Sequence, residues 1–586
     1  MAYRDEWCGN VAEDKVGQRV QVAGWVHRRR DHGGLIFIDL RDRTGLLQLV
    51  VSADGDSSIH AKAEGLRNEF VLSAEGTVVR RSPERVNPNL PTGAVEVAVE
   101  RLEILGEADT PPFLPDDELE VDEVLRLKYR YLDLRRACMY QNLRLRHDVV
   151  RAVREYLSGQ GFTEVETPIL TKSTPEGARD FLVPSRLRGG EFYALPQSPQ
   201  LFKQLLMVAG FERYYQVARA FRDEDLRADR QPEHTQIDLE MSFVEEEDVQ
   251  RIVEDMFAFA FKETMGVELD TPLPRLSYQE AMALYGSDKP DLRFDMRIVD
   301  VTEVAGRTEF RVFADAANSG GVVRGIRAEG AAWFSRKDVD ELTAEAATYG
   351  AKGVLPIWLQ DGAVRSPMQK FLSEGQIAEL VGRLGGEDGD ILLLVAGPQA
   401  VVEASLGALR LRLAERLEIA REGWAFAWIL DFPMFEWDEA EGRLKAQHHP
   451  FTKPRLEDSS ELKSHPLDLG THAYDLVLNG VELGSGSLRI SDRRLQQAVF
   501  EALGLSEDEI RAKFGFLVEA MDFGMPPHGG MGLGLDRIIM LMAGEDTIRD
   551  VIAFPKTQSG SCPLTDAPST VAEAQLRELC LRVSKG

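Results

Sequence analysis

Arg222 closes the run Tyr214-Tyr-Gln-Val-Ala-Arg-Ala-Phe-Arg222 and opens a charged segment that also carries Asp223, Glu224, Arg227, Arg230 and Gln231. The run reads as a strand, so Ala218 and Ala220 share the face of Arg222. Small neighbours leave volume above that face, and a planar guanidinium beside empty volume suits a phosphate. A long hairpin with a solvated charged tip fits the same pattern. Gln200 and Lys203 are three residues apart behind Ser198-Pro199, so they share one helix face near its positive end, where a carboxylate is favoured. An ordinary surface lysine is the plainer reading of Lys203. Asp475 and Glu482 flank Asn479-Gly480, the strongest short hairpin signal. A two-residue loop pairs Val477 with Glu482 and places Asp475 diagonally across the same face, about 7–8 Å away. Two carboxylates so placed repel unless a cation such as hydrated Mg²⁺ lies between them. Arg537 sits at the start of an apolar helix after a glycine-rich stretch, aimed at phosphate. No GxxxxGK[ST] sequence occurs, so a nucleotide would bind without a P-loop.

The elements that must hold these residues follow from periodicity. Thr235–Phe243 alternates, with Ile237, Leu239, Met241 and Phe243 on one face and Gln236, Asp238, Glu240 and Ser242 on the other, which predicts a half-buried antiparallel strand. Five β-rich runs between about residues 15 and 105 predict an OB barrel. A basic loop, His27-Arg-Arg-Arg-Asp-His-Gly-Gly34, lies at its mouth. Phe37 and Gln48 on adjacent strands suit a splayed base, the ring stacking and the amide reading an edge; Phe37 as barrel core is the alternative. A proline-stiffened acidic linker follows, then a helix over 142–160 with Leu145, Val149, Val153 and Leu157 as its apolar stripe. Residues 295–420 are rich in Ala, Gly and Glu and carry no catalytic constellation.

The stretch Phe221–Glu240 closely resembles motif 2 of class II aminoacyl-tRNA synthetases, in particular those of the bacterial aspartyl type. Gly161-Phe-Thr-Glu-Val-Glu-Thr-Pro-Ile-Leu170 resembles motif 1, the dimer interface, and Gly529-Gly-Met-Gly-Leu-Gly-Leu-Asp-Arg537 resembles motif 3. Together these motifs and the residues between them span nearly the whole chain. The resemblance implies a multidomain α+β protein: an OB-fold anticodon-binding barrel (1–106), a hinge (107–140), an antiparallel-sheet catalytic domain in two parts (141–294 and 421–565), an inserted α+β domain (295–420) and a C-terminal extension (566–586). It implies ATP-dependent ligation of L-aspartate to tRNA through an aspartyl-adenylate, with Mg²⁺, by a cytoplasmic homodimer joined through motif 1. Arg222 and Arg537 would be catalytic. Glu176, Gln200, Lys203, Arg222, Asp238, His448 and Arg489 would bind aspartate. ATP would meet Arg222, Asp223, Glu224, Gln231, Glu482, Gly534, Leu535, Asp536 and Arg537, with the metal on Asp475 and Glu482. Arg30, Phe37, Gln48 and Glu96 would contact the anticodon.

Two details of the resemblance need the structure. Arg489 has odd parity relative to Glu482 and should face away from it, which conflicts with an aspartate-binding role. A bulge within Gly484-Ser-Gly486 would resolve the conflict. In bacterial relatives, leucine at the position of His32 tends to accompany charging of tRNA(Asp) alone, and histidine charging of tRNA(Asn) as well. The second discriminating position, near Glu84, is not the glycine of some relaxed enzymes, so the two signals disagree. His32 leads us to expect charging of both tRNAs, and hence a tRNA-dependent amidotransferase downstream; strict charging of tRNA(Asp) is the alternative.

A net charge of −28 argues against nucleic acid only on average, because the first hundred or so residues are close to neutral. Cys8, Cys138, Cys562 and Cys580 are far apart with no CxxC pair, which predicts no zinc site and a reducing cytosol. No apolar signal segment and no run long enough to span a membrane is present. Two rivals remain from the sequence. A related ligase for asparagine or lysine fits poorly with two cations, Lys203 and Arg489, in the pocket. A non-catalytic RNA-binding paralogue fits poorly with intact Arg222, Glu224, Glu482 and Arg537.

Overall fold

The computed structural model describes residues 3–174, 178–439, 442–456 and 458–584. The chain divides into two compact units, Met1–Arg146 with Thr547–Thr570, and His147–Asp546 with Val571–Gly586.

In the first unit, β1 (Arg19–Asp31), β2 (Leu35–Asp42), β3 (Gly45–Ser52), β4 (Val71–Arg80) and β5 (Val95–Gly106) close a barrel in the order β1-β2-β3-β5-β4. Alternate residues such as Val20, Val22, Ile36, Ile38, Leu47 and Leu49 fill its interior, as period two requires. The predicted linker folds into short helices, Glu123–Lys128 and Arg130–Asp133. Asp133 is fully buried and accepts from Arg126 at 2.9 Å and Arg130 at 2.5 Å. Arg130 also donates to the carbonyls of Arg549, Ile552 and Ala553 at 2.6, 2.9 and 3.0 Å. These bonds tie segment 547–570 to these short helices despite a separation of more than four hundred residues.

In the second unit the chain passes through β6 (Thr163–Glu164), β7 (Arg213–Phe221), β8 (Glu233–Ser242) and β9 (Arg275–Ser277). An inserted body follows, with β10 (Val299–Asp300), β11 (Val322–Ala328), β12 (Leu355–Gln360), β13 (Ala363–Arg365) and β14 (Ile391–Gly397). The chain then returns through β15 (Phe426–Leu430), β16 (Ala473–Leu478), β17 (Val481–Leu488) and β18 (His528–Gly534). The main sheet runs β9-β15-β16-β17-β18-β8-β7-β6 and is antiparallel except at its two edge pairs. The inserted body has its own antiparallel sheet, β10-β11-β14-β12-β13, and its own apolar core. The strand of the motif 1 stretch is only two residues long. No helix among the described residues is long and apolar enough to cross a membrane.

Candidate active site

In the main sheet β8 is the third strand from one edge, between β7 and β18. The sequence predicts a half-buried β8, but Thr235–Ser242 is buried on both faces. Its polar face, with Asp238 and Glu240, meets a buried cluster of charges. The helix Gln200–Val208 lies over it with Gln200 and Lys203 both buried. Ser198 assists the helix start one residue later than expected, its Oγ accepting from Gln200 N at 3.2 Å. Lys203 Nζ donates to Asp238 Oδ1 at 2.7 Å and lies 3.2 Å from Glu240 Oε2. Arg489 binds Glu240 through Nε and Nη2 at 2.9 and 3.1 Å. Its Nη1 meets Ser487 Oγ at 2.6 Å and His449 Nε2 at 2.7 Å. Two cations and two carboxylates thus form a buried, balanced quartet. At Glu240, burial is outweighed by Arg489 and Lys203, which hold the carboxyl at about 2. Burial raises Asp238 against the pull of Lys203. Burial and Arg489 keep His449 neutral, so it can accept from the arginine. Gly530 is required here, because a Cβ at that position would lie 2.0 Å from Glu240 Oε2 and 2.1 Å from Leu239 O.

The hairpin has the predicted register, Leu478 opposite Val481 and Val477 opposite Glu482, with Asn479 and Gly480 both at positive φ (53° and 84°). The predicted bulge is present one residue early: the register skips Leu483, so that Leu476 faces Gly484. The extra residue reverses the parity beyond it. Asp475 now opposes Ser485, and Arg489 joins the face of Asp475 and Glu482. Burial and then the charge of Asp475 raise the Glu482 carboxyl, as expected of two crowded carboxylates. His448 Nε2 lies 3.2 Å from Asp475 Oδ1. Burial pushes His448 toward neutrality, but Asp475 and Glu482 together outweigh it and raise its pKa. Expected at the aspartate pocket, His448 therefore leans on the predicted metal pair, and its neighbour His449 is the one that touches Arg489. The two hard oxygen donors fit a divalent cation, although no group of three or more His, Cys, Asp or Glu ligands exists among the described residues.

Around the predicted phosphate site, Arg222 follows β7, its N–H donating to Pro232 O at 2.9 Å. Across the charged loop, Arg230 pairs with Glu224 at 3.3 Å and Asp223 lies 3.8 Å from Arg179. Arg537 Nη2 is 3.0 Å from Asp229 of that loop, and its Nη1 donates to Glu482 O at 3.0 Å. Two residues of the predicted ATP set face inward: the Leu535 side chain is buried, and Asp536 Oδ2 accepts from Thr235 N at 2.8 Å. Asp536 pins β8 to the helix Leu535–Ala543, so its carboxylate is committed to the fold; Gly534, just ahead, ends β18. Gln231 is buried. Burial, then Arg222, Arg537 and Arg219, push His234 down to about 3. Glu176 lies outside the described residues.

In the barrel, Arg30 Nη2 donates to Asp39 at 2.7 Å and to Gln48 Oε1 at 3.1 Å, and Gln48 Nε2 donates to Glu96 at 2.7 Å. Three of the four predicted anticodon residues thus form one chain of hydrogen bonds. Half-buried Phe37 stands edge-on to His32, ring centroids 5.6 Å apart, whereas Glu84 is exposed in a separate turn. Arg81, which sequence reasoning passed over, is buried 3.6 Å from Glu96. Glu240, Ser487 and His449 were also passed over. Glu240 was legible from its parity with Asp238; the others carried no local signal.

Buried polar atoms on the elements that hold the quartet have no hydrogen-bond partner: Gln200 Nε2, Gln236 Nε2 and Asp238 Oδ2; at the far end of the strand pair, Arg222 Nε has none either. Such groups are costly unless something polar meets them. Two donors and one carboxylate oxygen beside the quartet, with a further donor beyond the end of β7, are thus met by no protein group.

Comparison with known proteins agrees with this geometry. The family model for class II tRNA synthetases (D, K and N) matches residues 122–558, and the model for the OB-fold nucleic acid binding domain matches residues 20–105. The chain is 56% identical over 582 residues, 99% of each chain, to the aspartate–tRNA ligase of Geobacillus kaustophilus. It is also 56% identical over 581 residues to the aspartate–tRNA(Asp/Asn) ligase of Moorella thermoacetica, covering 99% of this chain and 97% of that one. The asparaginyl-tRNA synthetase of Pyrococcus horikoshii shares the fold, with a TM-score of 0.60 at 20% identity, covering 94% of this chain and 98% of that one. With the sheet, the motifs and full-length relatives in agreement, the chain belongs to the aspartate–tRNA ligase family of class II aminoacyl-tRNA synthetases.

Proposed function

We propose that this protein ligates L-aspartate to tRNA in two steps through an aspartyl-adenylate and charges both tRNA(Asp) and tRNA(Asn). The observation that carries the reading is the buried quartet Lys203–Asp238–Glu240–Arg489 with partnerless polar atoms beside it. The unpartnered Asp238 Oδ2 suits the α-ammonium of aspartate, as does Glu176 by resemblance. Arg489 spends four of its five N–H groups on Glu240, Ser487 and His449, leaving one for the substrate's side-chain carboxylate. Lys203 supplies the second cation. Asparagine would present a neutral amide to this pair and leave it poorly matched.

The α-carboxylate of aspartate attacks the α-phosphate of ATP in line. It is already ionised, so positioning and electrostatics carry the step without a general base. Arg222 and Arg537 hold the phosphates. Asp475 and Glu482 would hold Mg²⁺, which offsets charge developing on pyrophosphate. The terminal ribose hydroxyl of tRNA then attacks the aspartyl carbonyl of the adenylate, forming the ester as the acyl–phosphate bond breaks and AMP leaves. The anticodon meets Arg30, Phe37, Gln48 and Glu96. His32, placed against Phe37, supports relaxed discrimination, and Glu84 stands apart from it. The working form is a cytoplasmic homodimer through motif 1, with a tRNA-dependent amidotransferase downstream.

The test is aspartate-dependent ATP–pyrophosphate exchange, followed by aspartylation of purified tRNA(Asp) and tRNA(Asn) transcripts. Comparable charging of both supports the reading. Charging of tRNA(Asp) alone keeps the enzyme and removes the argument from His32. Absence of exchange returns the chain to the non-catalytic alternative.

A further inference from the structure

Gln236 lies on the polar face of β8, two residues before Asp238, and is 6% exposed. Its Nε2 has no hydrogen-bond partner among the described residues, and neither has Asp238 Oδ2. Asp238 Oδ1 is already taken by Lys203. Alternate side chains on a strand start about 7 Å apart. These two nevertheless lean together over Gly532 of β18. A Cβ on that glycine would lie 3.6 Å from Asp238 Oδ1 and 3.8 Å from both amide atoms of Gln236. One small molecule above Gly532 can therefore meet both side chains. The cross-strand partners of Gln236 are Ala218 of β7 and Gly534 of β18, and neither carries a polar side chain that could satisfy the amide. Its neighbour Thr235, by contrast, is tied to the fold through Asp536.

The place of Gln236 along the strand indicates what it meets. The polar face presents Glu240 and Asp238 of the quartet, then Gln236, then His234, near the end where Arg222 N bonds Pro232 O. Gly534, opposite Gln236, lies beside Arg537: a Cβ there would be 4.0 Å from Arg537 Cδ. The amide thus stands between the proposed aspartate pocket and the proposed phosphate site. With the α-ammonium on Asp238 Oδ2, the next polar group on the same carbon, toward phosphate, is the α-carboxylate. That carboxylate is the nucleophile. A cation on it would draw charge from the attacking oxygen, whereas a neutral N–H fixes its orientation and leaves the charge largely in place.

We propose that Gln236 is a catalytic residue whose Nε2 donates to the α-carboxylate oxygen of aspartate that does not attack. This rests on the aspartate activation proposed above. As the other oxygen bonds to the α-phosphorus of ATP, the bond from that phosphorus to the bridging oxygen breaks, and pyrophosphate leaves with the electron pair. The oxygen held by Gln236 becomes the carbonyl oxygen of the adenylate.

The test compares Gln236→Met and Gln236→Glu with the unaltered full chain in aspartate-dependent ATP–pyrophosphate exchange, with urea unfolding as the check on fold. Methionine keeps the volume and removes the donor. Its exchange rate at saturating substrates should fall about 100-fold, with KM for ATP unchanged. Glutamate keeps the shape but donates only when protonated. Burial, Asp238 and the substrate carboxylate favour that form, against Lys203, Arg222 and Arg537. As pH falls from about 8 to 6, the activity of Gln236→Glu relative to the unaltered protein should therefore climb about tenfold or more, while the deficit of Gln236→Met stays constant. A merely structural amide would give the two variants the same pH profile. Parallel profiles overturn the proposal, and so does a folded Gln236→Met that exchanges within about twofold of the unaltered rate. If methionine prevents folding, the glutamate profile decides alone. Absence of exchange in the unaltered protein refutes the aspartate reading and this proposal with it; exchange there confines any failure to Gln236.

Discussion

In the structure Arg537 is held by a carboxylate of the charged loop, 3.0 Å from Asp229, at the position proposed for an ATP phosphate. Phosphate must displace Asp229 to reach the guanidinium, so Asp229→Asn should tighten ATP binding. The size follows from exposure. The two side chains are 24% and 39% exposed, so solvent screens the pair and it is worth about 0.2–1 kcal/mol. Removing that competition should lower KM for ATP by about 1.4- to 5-fold. The assay is aspartate-dependent ATP–pyrophosphate exchange across ATP concentrations at 50 and 500 mM KCl. The gain should be largest at low salt and shrink at high salt, because exposed pairs are screened. The maximal exchange rate should hold, since Asp229 touches no reacting atom in this scheme. A KM for ATP that is unchanged or higher at low salt refutes the reasoning, and so does a fall in maximal rate with KM unaltered.

Lys203→Met should cost about 3–5 kcal/mol of stability, because it strands the buried carboxylates of Asp238 and Glu240 beside a single remaining cation. Urea unfolding would show the loss, and aspartate-dependent exchange should vanish even where the fold persists. His234 is pushed down to about 3, so between about pH 6.5 and 3 the unfolded chain binds a proton that the folded chain refuses. Stability should fall as pH drops through that window, by about 3–5 kcal/mol from this residue at its lower end. His234→Phe should flatten the urea-unfolding profile between pH 6.5 and 4 relative to the unaltered protein; parallel profiles would show that His234 is free to titrate.

Much of the site was legible because it rests on local geometry. A helix brings residues three apart onto one face, so Gln200 and Lys203 were expected together and are buried together. Asn479-Gly480 takes positive φ at both positions, so the hairpin register, and the approach of Asp475 to Glu482, came from a turn of two residues. Strand periodicity announced the five-stranded barrel and the polar face of β8.

Other features depend on partners remote in the chain. The conflict over Arg489 called for a bulge, but only the pairing of β17 with β16 and β18 places the extra residue at Leu483 and turns the arginine toward its site. Arg489 binds Glu240 across 249 residues of sequence, and Lys203 binds Asp238 across 35. The resemblance placed two cations in the pocket, and packing set them against two carboxylates in a neutralised quartet. Adjacent histidines point in different directions, so His448 and His449 could be told apart only once Asp475 and Arg489 were in place. The inward turn of Asp536, which pins Thr235, has the same origin. Sequence by itself determined which chemical groups each element carries and on which face, since the backbone repeats every two residues in a strand and every 3.6 in a helix. Tertiary structure alone decided which charges meet, because burial makes the pairing of remote charges compulsory while leaving no trace in local spacing.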